Sequence, residues 1–265
     1  MSSNPIGIFD SGIGGLTIAN ALKDKLPNES IMYFGDTKHL PYGEKSESAI
    51  QHYSLKIAKF LEKRNCKIII IACNSASSVA FNHIQNQLSS IPIFNVIDPV
   101  IENLSAKNEK KTIGVIGTKA TIRSSIYQKK INQKSNSTVI SLETPLLAPM
   151  IEEGFFNQEI SQAIIKNYLS NENLKEIDSL ILACTHYPLI KKQITEYYNN
   201  NVDVIDSSCI TANYIKDKLE KLKLLNTAKT SNYNFIVSDL TESFAKSANL
   251  FFREKIILEE IDIWK

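Results

Sequence analysis

Short apolar runs rich in β-branched residues recur along the chain, each followed by a segment with apolar positions at helical spacing. Ile6–Phe9, Ser30–Phe34, Ile68–Ala72 and Ile93–Ile97 read as buried strands, because near-continuous Val/Ile/Leu runs bounded by polar or breaker residues suit strands covered on both faces. Between them, Gly15–Lys25, Ser46–Arg64 (with Ile50, Tyr53, Ile57, Phe60 and Leu61 on one face) and Ser75–Leu88 read as helices. Asp36 to Gly43 reads as a loop broken by Pro41 and Gly43. The pattern then repeats. Strands are predicted at Thr112–Ile116, Val139–Leu142, Ser179–Ala183 and Val202–Ile205, and helices at Ala120–Asn132, Ser161–Leu169, Leu189–Tyr198 and Ile210–Leu222. Pro145 and Pro149 punctuate a loop. The tail adds Phe235–Val237, a helix Glu242–Phe252 and an apolar piece, Lys255–Ile263.

Alternating strands and helices predict an α/β fold with mostly parallel sheets and right-handed crossovers. Three landmarks recur in the same order. Ile6-Gly7-Ile8 returns as Ile113-Gly114-Val115, Cys73 as Cys184, and Val96-Ile97-Asp98 as Val204-Ile205-Asp206, at offsets of 107, 111 and 108 positions. Together they argue for two related, pseudo-symmetric α/β halves, each a parallel sheet flanked by helices. A chain of 265 residues accommodates two such units, since domains average roughly 150 residues.

Composition narrows the function classes. Hydrophobic content of 43% and charged content of 22% are ordinary for a globular protein. A formal net charge of +2 and only three arginines, Arg64, Arg123 and Arg253, argue against nucleic acid as a partner. The longest strongly apolar run, Ile68 to Cys73, is far below the ~20 residues of a membrane helix. No secretory leader pattern is visible, so a cytoplasmic location is expected. The four cysteines, Cys66, Cys73, Cys184 and Cys209, form no C-x-x-C pair. Neither a metal site nor a cofactor signature is expected.

Chemistry concentrates at strand ends, where parallel sheets bind ligands. Asp10, Ser11, Cys73, Asn74, Thr118, Cys184, Thr185 and His186 all fall there. The glycine-rich turn Asp10-Ser11-Gly12-Ile13-Gly14-Gly15 lacks the G-x-G-x-x-G and Gly-Lys-Ser/Thr spacings of nucleotide sites. It reads either as a tight turn or as a place where a small ligand approaches a helix start. Cys73 and Cys184 each precede a predicted helix, whose N-terminal partial charge is expected to lower a thiol from ~8.5 toward neutrality. Two thiols reaching one carbon from opposite faces would sit roughly 6–7 Å apart. One could remove a proton while the other delivers one, inverting a stereocentre without a cofactor. Alternatively, His186 beside Cys184 fits a Cys-His hydrolase, which leaves Cys73 unexplained. An amino-acid binding protein with inert thiols is a further reading.

These residues resemble the glutamate racemase family over most of the chain. The resemblance rests on Phe9-Asp10-Ser11-Gly12-Ile13-Gly14-Gly15, Tyr33-Phe34-Gly35-Asp36, Pro41-Tyr42-Gly43, Ala72-Cys73-Asn74-Ser75-Ala76-Ser77, Ile116-Gly117-Thr118 and Ala183-Cys184-Thr185-His186-Tyr187-Pro188. It implies cofactor-independent interconversion of L- and D-glutamate, supplying the D-enantiomer for peptidoglycan. A racemase or decarboxylase of another small acid remains an alternative. Cys73 and Cys184 would be the acid/base pair at a domain interface, with Asp10 and His186 tuning or orienting them. Asp36 and Glu152 match acidic positions that assist in the family. Ser11, Pro41, Tyr42, Gly43, Asn74, Ser75, Thr118, Thr121 and Thr185, with Asp10 and His186, would bind the amino acid. The family usually has threonine where Ser75 stands, so the hydroxyl survives and a methyl is lost. The last part of the chain is expected to pack on the first domain, dividing the protein into 1–97 with 210–265, and 98–209. A homodimer is also implied.

Overall fold

The β-branched runs form parallel strands, and helices fill both faces of two sheets. The computed structural model describes residues 2–105, 110–156, 158–228 and 231–265. In chain order the first half comprises β1 (Ile6–Asp10), α1 (Leu16–Lys25), β2 (Ile31–Gly35), α2 (Glu47–Lys63), β3 (Ile68–Ile71), α3 (Asn74–Val79), α4 (Phe81–Gln87), β4 (Ile93–Asn95) and α5 (Ile97–Ser105). The second comprises β5 (Thr112–Gly117), α6 (Lys119–Arg123), α7 (Ile126–Lys134), β6 (Thr138–Glu143), α8 (Leu147–Glu152), α9 (Glu159–Leu169), β7 (Ser179–Ala183), α10 (Lys191–Tyr197), β8 (Asp203–Asp206) and α11 (Ser207–Lys221). The tail returns with β9 (Tyr233–Val237), α12 (Glu242–Phe252) and β10 (Leu258–Glu260).

Sheet order makes the duplication explicit. One sheet runs β10-β9-β2-β1-β3-β4 and the other β6-β5-β7-β8. The order β2-β1-β3-β4 therefore repeats as β6-β5-β7-β8, with every pair parallel. The tail strands extend only the first sheet, pairing β9 on β2 and β10 on β9.

Alternation explains the four consecutive isoleucines of β3. Ile68 and Ile70 face a core that also holds Ile6, Ile8, Leu180 and Leu182 and runs through both halves. Ile69 and Ile71 face a second core, with Phe9, Phe34, Ile50, Ile57 and Leu61 of α2. Each isoleucine is buried and contributes roughly 1.5–3 kcal/mol. A third core covers the far side of the second sheet with Ile113, Val115, Ile181 and Ala183. Among the described residues no helix is long and apolar enough to cross a membrane.

Several elements depart from the sequence reading. The helix expected over Ser75–Leu88 is two helices meeting at Ala80. That over Ala120–Asn132 breaks at Ser125, which takes a left-handed φ of 56°. The strand expected to Ile97 stops at Asn95, because the Asn95 Oδ1 accepts the N–H groups of Ile97 (2.9 Å) and Asp98 (2.8 Å) and starts α5. The counterpart of Asp206, which caps α11 through Ser208 N–H, is therefore Asn95 and not Asp98. These two caps are 111 positions apart, the same spacing as the cysteines. The proline-punctuated loop contains α8. Pro149 sits in the first turn of α8, where a missing N–H costs nothing.

One glycine holds the strand ends together. A Cβ at Gly35 would lie 2.2 Å from the Gly12 carbonyl oxygen, a backbone atom that also accepts the Tyr33 hydroxyl at 2.8 Å. Gly35→Ala is expected to lower stability by about 2–3 kcal/mol in urea unfolding; an unchanged midpoint would contradict this packing.

Candidate active site

Both cysteines stand where a central strand gives way to a turn. Cys73 follows β3 and caps α3, its Sγ accepting the Ala76 N–H at 3.4 Å and lying 3.6 Å from Ser11 Oγ. Cys184 follows β7, its Sγ 3.6 Å from His186 Nδ1. The two open into one cavity of about 260 Å³ between the halves. Its size sits near the lower end of small-molecule pockets, ~300–1,000 Å³, and suits a metabolite.

Of the residues expected at the site, Ser11, Pro41, Tyr42, Gly43, Cys73, Asn74, Ser75, Thr118, Glu152, Cys184, Thr185 and His186 line this cavity. Asp10, Asp36 and Thr121 stand behind it. Asp10 is fully buried, its carboxylate accepting Gly12 N–H at 2.9 Å and facing Thr185 Oγ1 at 3.4 Å. Thr121 Oγ1 lies 3.1 Å from Thr118 Oγ1, which in turn lies 2.8 Å from Ser75 Oγ across the two halves. Asp36 lies beneath Tyr42, whose hydroxyl donates to it at 2.7 Å. The sequence reading missed Leu40, Ala148 and Pro149, which also line the cavity. They carry no chemical signal, and α8 brings the last two into place.

The glycine turn has a third purpose. None of its glycines takes a positive φ. A Cβ at Gly14 would instead meet Thr185 Oγ1 at 2.4 Å and His186 Nδ1 at 2.5 Å. Glycine there lets the first half approach the Cys184-Thr185-His186 segment of the second. The Thr17 hydroxyl secures the same contact, lying 2.9 Å from the Gly14 carbonyl and 3.1 Å from that of Thr185.

Electrostatics sets Cys73 apart from a free thiol. Burial pushes the Cys73 thiol up to about 12, and the Asp10 carboxylate adds to the rise; Ala76 N–H and Ser11 oppose it weakly. The lowered thiol expected from a helix start is thus not found at Cys73, because desolvation of a buried sulfur exceeds what one long N–H contact returns. Cys184 faces the His186 imidazole. His186 is buried, which by itself lowers its basicity, but Cys184 (when ionised) and Glu152 more than reverse this, and the imidazole ends well above its usual 6.5. Glu152 Oε1 lies 2.7 Å from His186 Nε2, and the Phe251 ring packs edge-on at 5.1 Å. Burial also raises Asp10, with His186 countering it.

Donors for an anionic ligand are present without arginine. None of the three arginines lines the cavity; Arg123 pairs outside it with Glu143 at 2.8 Å. Asn74 accepts the Tyr127 hydroxyl at 2.7 Å through Oδ1, while its Nδ2 is buried with no hydrogen-bond partner among the described residues. Among the described residues no three or more His, Cys, Asp or Glu side chains converge as a metal site requires.

Comparison with known proteins gives the family of the chain. Residues 16–215 match the family described as Asp/Glu/Hydantoin racemase. A glutamate racemase of Geobacter metallireducens is 40% identical over 95% of this chain and 93% of its own. The crystal structure of the Francisella tularensis glutamate racemase in complex with D-glutamate superposes with a TM-score of 0.93, at 40% identity over 100% of this chain and 99% of that one. The Thermus thermophilus glutamate racemase in complex with β-chloro-D-alanine gives 0.88, at 33% identity over 98% and 97% of the two chains. With its duplicated sheets and a cysteine from each at one cavity, the chain belongs to the glutamate racemases, within the Asp/Glu/hydantoin racemase family.

Proposed function

We propose that this protein interconverts L- and D-glutamate by two-thiol acid/base catalysis. The observation that carries the reading is that Cys73 and Cys184, supplied by equivalent strands of the two halves, open into one cavity. Division into 1–97 with 210–265, and 98–209, puts one thiol in each domain and the substrate at their interface. One sulfur, as thiolate, takes the Cα proton and becomes a thiol. The electron pair left on Cα is spread into the adjacent carboxylate. The other thiol then gives its proton to the opposite face and becomes the thiolate. The net change is inversion at Cα, and the reverse reaction exchanges the roles. Burial favours the protonated form of Cys73, and the Cys184 Sγ faces His186 Nδ1 at 3.6 Å.

Carboxylate recognition then falls to Asn74 Nδ2, the hydroxyls of Ser11, Ser75, Thr118 and Thr185, and main-chain N–H groups. Glu152 holds His186 and Asp10 braces Thr185. A cytoplasmic enzyme of this kind, in a homodimer, would supply D-glutamate to peptidoglycan synthesis. The Cys-His hydrolase reading fits less well, since it leaves Cys73 without a task.

Circular dichroism of each enantiomer with the purified protein in deuterated buffer tests the proposal. Each should decay to a racemate, and the product enantiomer should carry solvent deuterium at Cα. No loss of optical activity from either glutamate, or conversion without deuterium, would refute it.

A further inference from the structure

We propose that the C-terminal segment Asp262–Trp264 is a strap that positions the substrate-side loop Leu40–Gly43, acting through the buried carboxylate of Asp36. This rests on the reading that the cavity binds glutamate, and it makes Asp36 and Trp264 positioning residues.

After β10 the chain turns over the carboxyl ends of the first sheet, where Ile261 N–H donates to the Val237 carbonyl at 2.9 Å. The next residues reach Asp36, which is fully buried. A carboxylate there needs donors on all sides, and they come from three separate segments. The Trp264 Nε1–H donates to Oδ1 at 3.1 Å from the tail. The Ser238 hydroxyl donates to Oδ1 at 2.8 Å from the end of β9. The Tyr42 hydroxyl donates to Oδ2 at 2.7 Å from the substrate-side loop, and His39 Nδ1 lies 3.0 Å from both oxygens. Tyr42 lines the cavity; Asp36 and Trp264 do not. Among the described residues, Asp36 therefore reaches the ligand space through Tyr42.

The tail is itself held on this loop. Lys38 donates to Asp262 Oδ2 at 2.7 Å, and Asp262 Oδ1 accepts the Trp264 N–H at 2.9 Å. The indole packs edge-on against His39 (4.4 Å) and Tyr53 (5.3 Å), with the Lys56 ammonium 5.0 Å over its face. Partly buried Ile261, Ile263 and Trp264 join the core under α2. Apolar packing alone would seat these side chains; the indole N–H on a carboxylate that also holds Tyr42 links the tail to the site.

Trp264 is the only tryptophan, so ¹⁵N labelling gives a single indole resonance that reports this link with no ligand present. Tyr42→Phe should move that resonance and speed its exchange with solvent. Trp264→Phe keeps most of the packing and removes the donor. It should raise KM for both glutamate enantiomers about five-fold with kcat changed less than about two-fold, the scale of one hydrogen bond to a carboxylate felt through an intermediary. In the Tyr42→Phe background it should add nothing further. If Trp264→Phe does not fold, a chain ended at Ile263 serves the same comparison. Turnover with an unchanged KM in Trp264→Phe, or effects that simply add to those of Tyr42→Phe, would overturn the strap and leave the racemase reading standing. An indole resonance that responds to Tyr42→Phe in a protein that does not turn over glutamate would leave the strap standing and defeat the racemase reading.

Discussion

Serine in place of either Cys73 or Cys184 is expected to cut kcat/KM for glutamate by at least about 10³-fold. The loss must be the same in both directions. L- and D-glutamate have equal free energies, so the equilibrium constant is one, and kcat/KM for the two directions cannot diverge in any variant. A racemase with two required thiols loses activity with either change, whereas a Cys-His hydrolase keeps most of it in Cys73→Ser. The serine hydroxyl still accepts the Ala76 N–H that Cys73 now accepts, so the fold and glutamate binding by calorimetry should survive. Each variant retains one sulfur on one flank of Cα. It should therefore exchange the α-hydrogen of a single enantiomer without inverting it, and the two variants should choose opposite enantiomers. If both exchange the same enantiomer, the thiols lie on the same flank and the mechanism is wrong.

His186→Gln is expected to lower kcat/KM about 10²-fold, the scale of one proton partner lost from an acid/base pair. Glutamine keeps side-chain polarity but cannot carry the positive charge that faces the Cys184 sulfur. A second consequence concerns stability. The folded imidazole is held well above its ordinary 6.5, where Cys184 and Glu152 outweigh the opposing effect of burial. A group whose pKa rises on folding stabilises the fold fully below its unfolded value, and that contribution disappears as pH rises through the folded one. The wild-type advantage in Tm over His186→Gln should thus be greatest below about pH 6.5 and shrink steadily above it. A difference in Tm that stays constant with pH would show that His186 is not charged in the folded protein. Glu152→Gln should flatten the same slope, since it removes the carboxylate 2.7 Å from Nε2.

Strand-end chemistry was readable because it depends on local order. Cys73, Cys184 and His186 each follow an apolar run, and parallel strands present whatever follows them to the ligand side. Pairings across long separations were not readable. Glu152 meets His186 over 34 positions, Tyr127 meets Asn74 over 53, and Trp264 meets Asp36 over 228. No local pattern encodes such partners. Helices α5 and α8 escaped detection for a shared reason. Pro99 and Pro149 lie in their first turns, where proline is tolerated, yet along the chain they look like breakers. The glycine turn stands out along the chain, but its reason, room for Thr185 and His186 from the other half, exists only once the halves meet.

From order and periodicity alone, the sequence determined two related parallel sheets with a thiol at an equivalent strand end of each, because alternation and β-branching act within a few residues. Only the tertiary structure decided the electrostatic fate of the Cys73 thiol. A helix start favours thiolate locally, but burial beside Asp10 pushes the Cys73 thiol up instead. Desolvation is a property of everything packed around an atom, and no reading along the chain contains it.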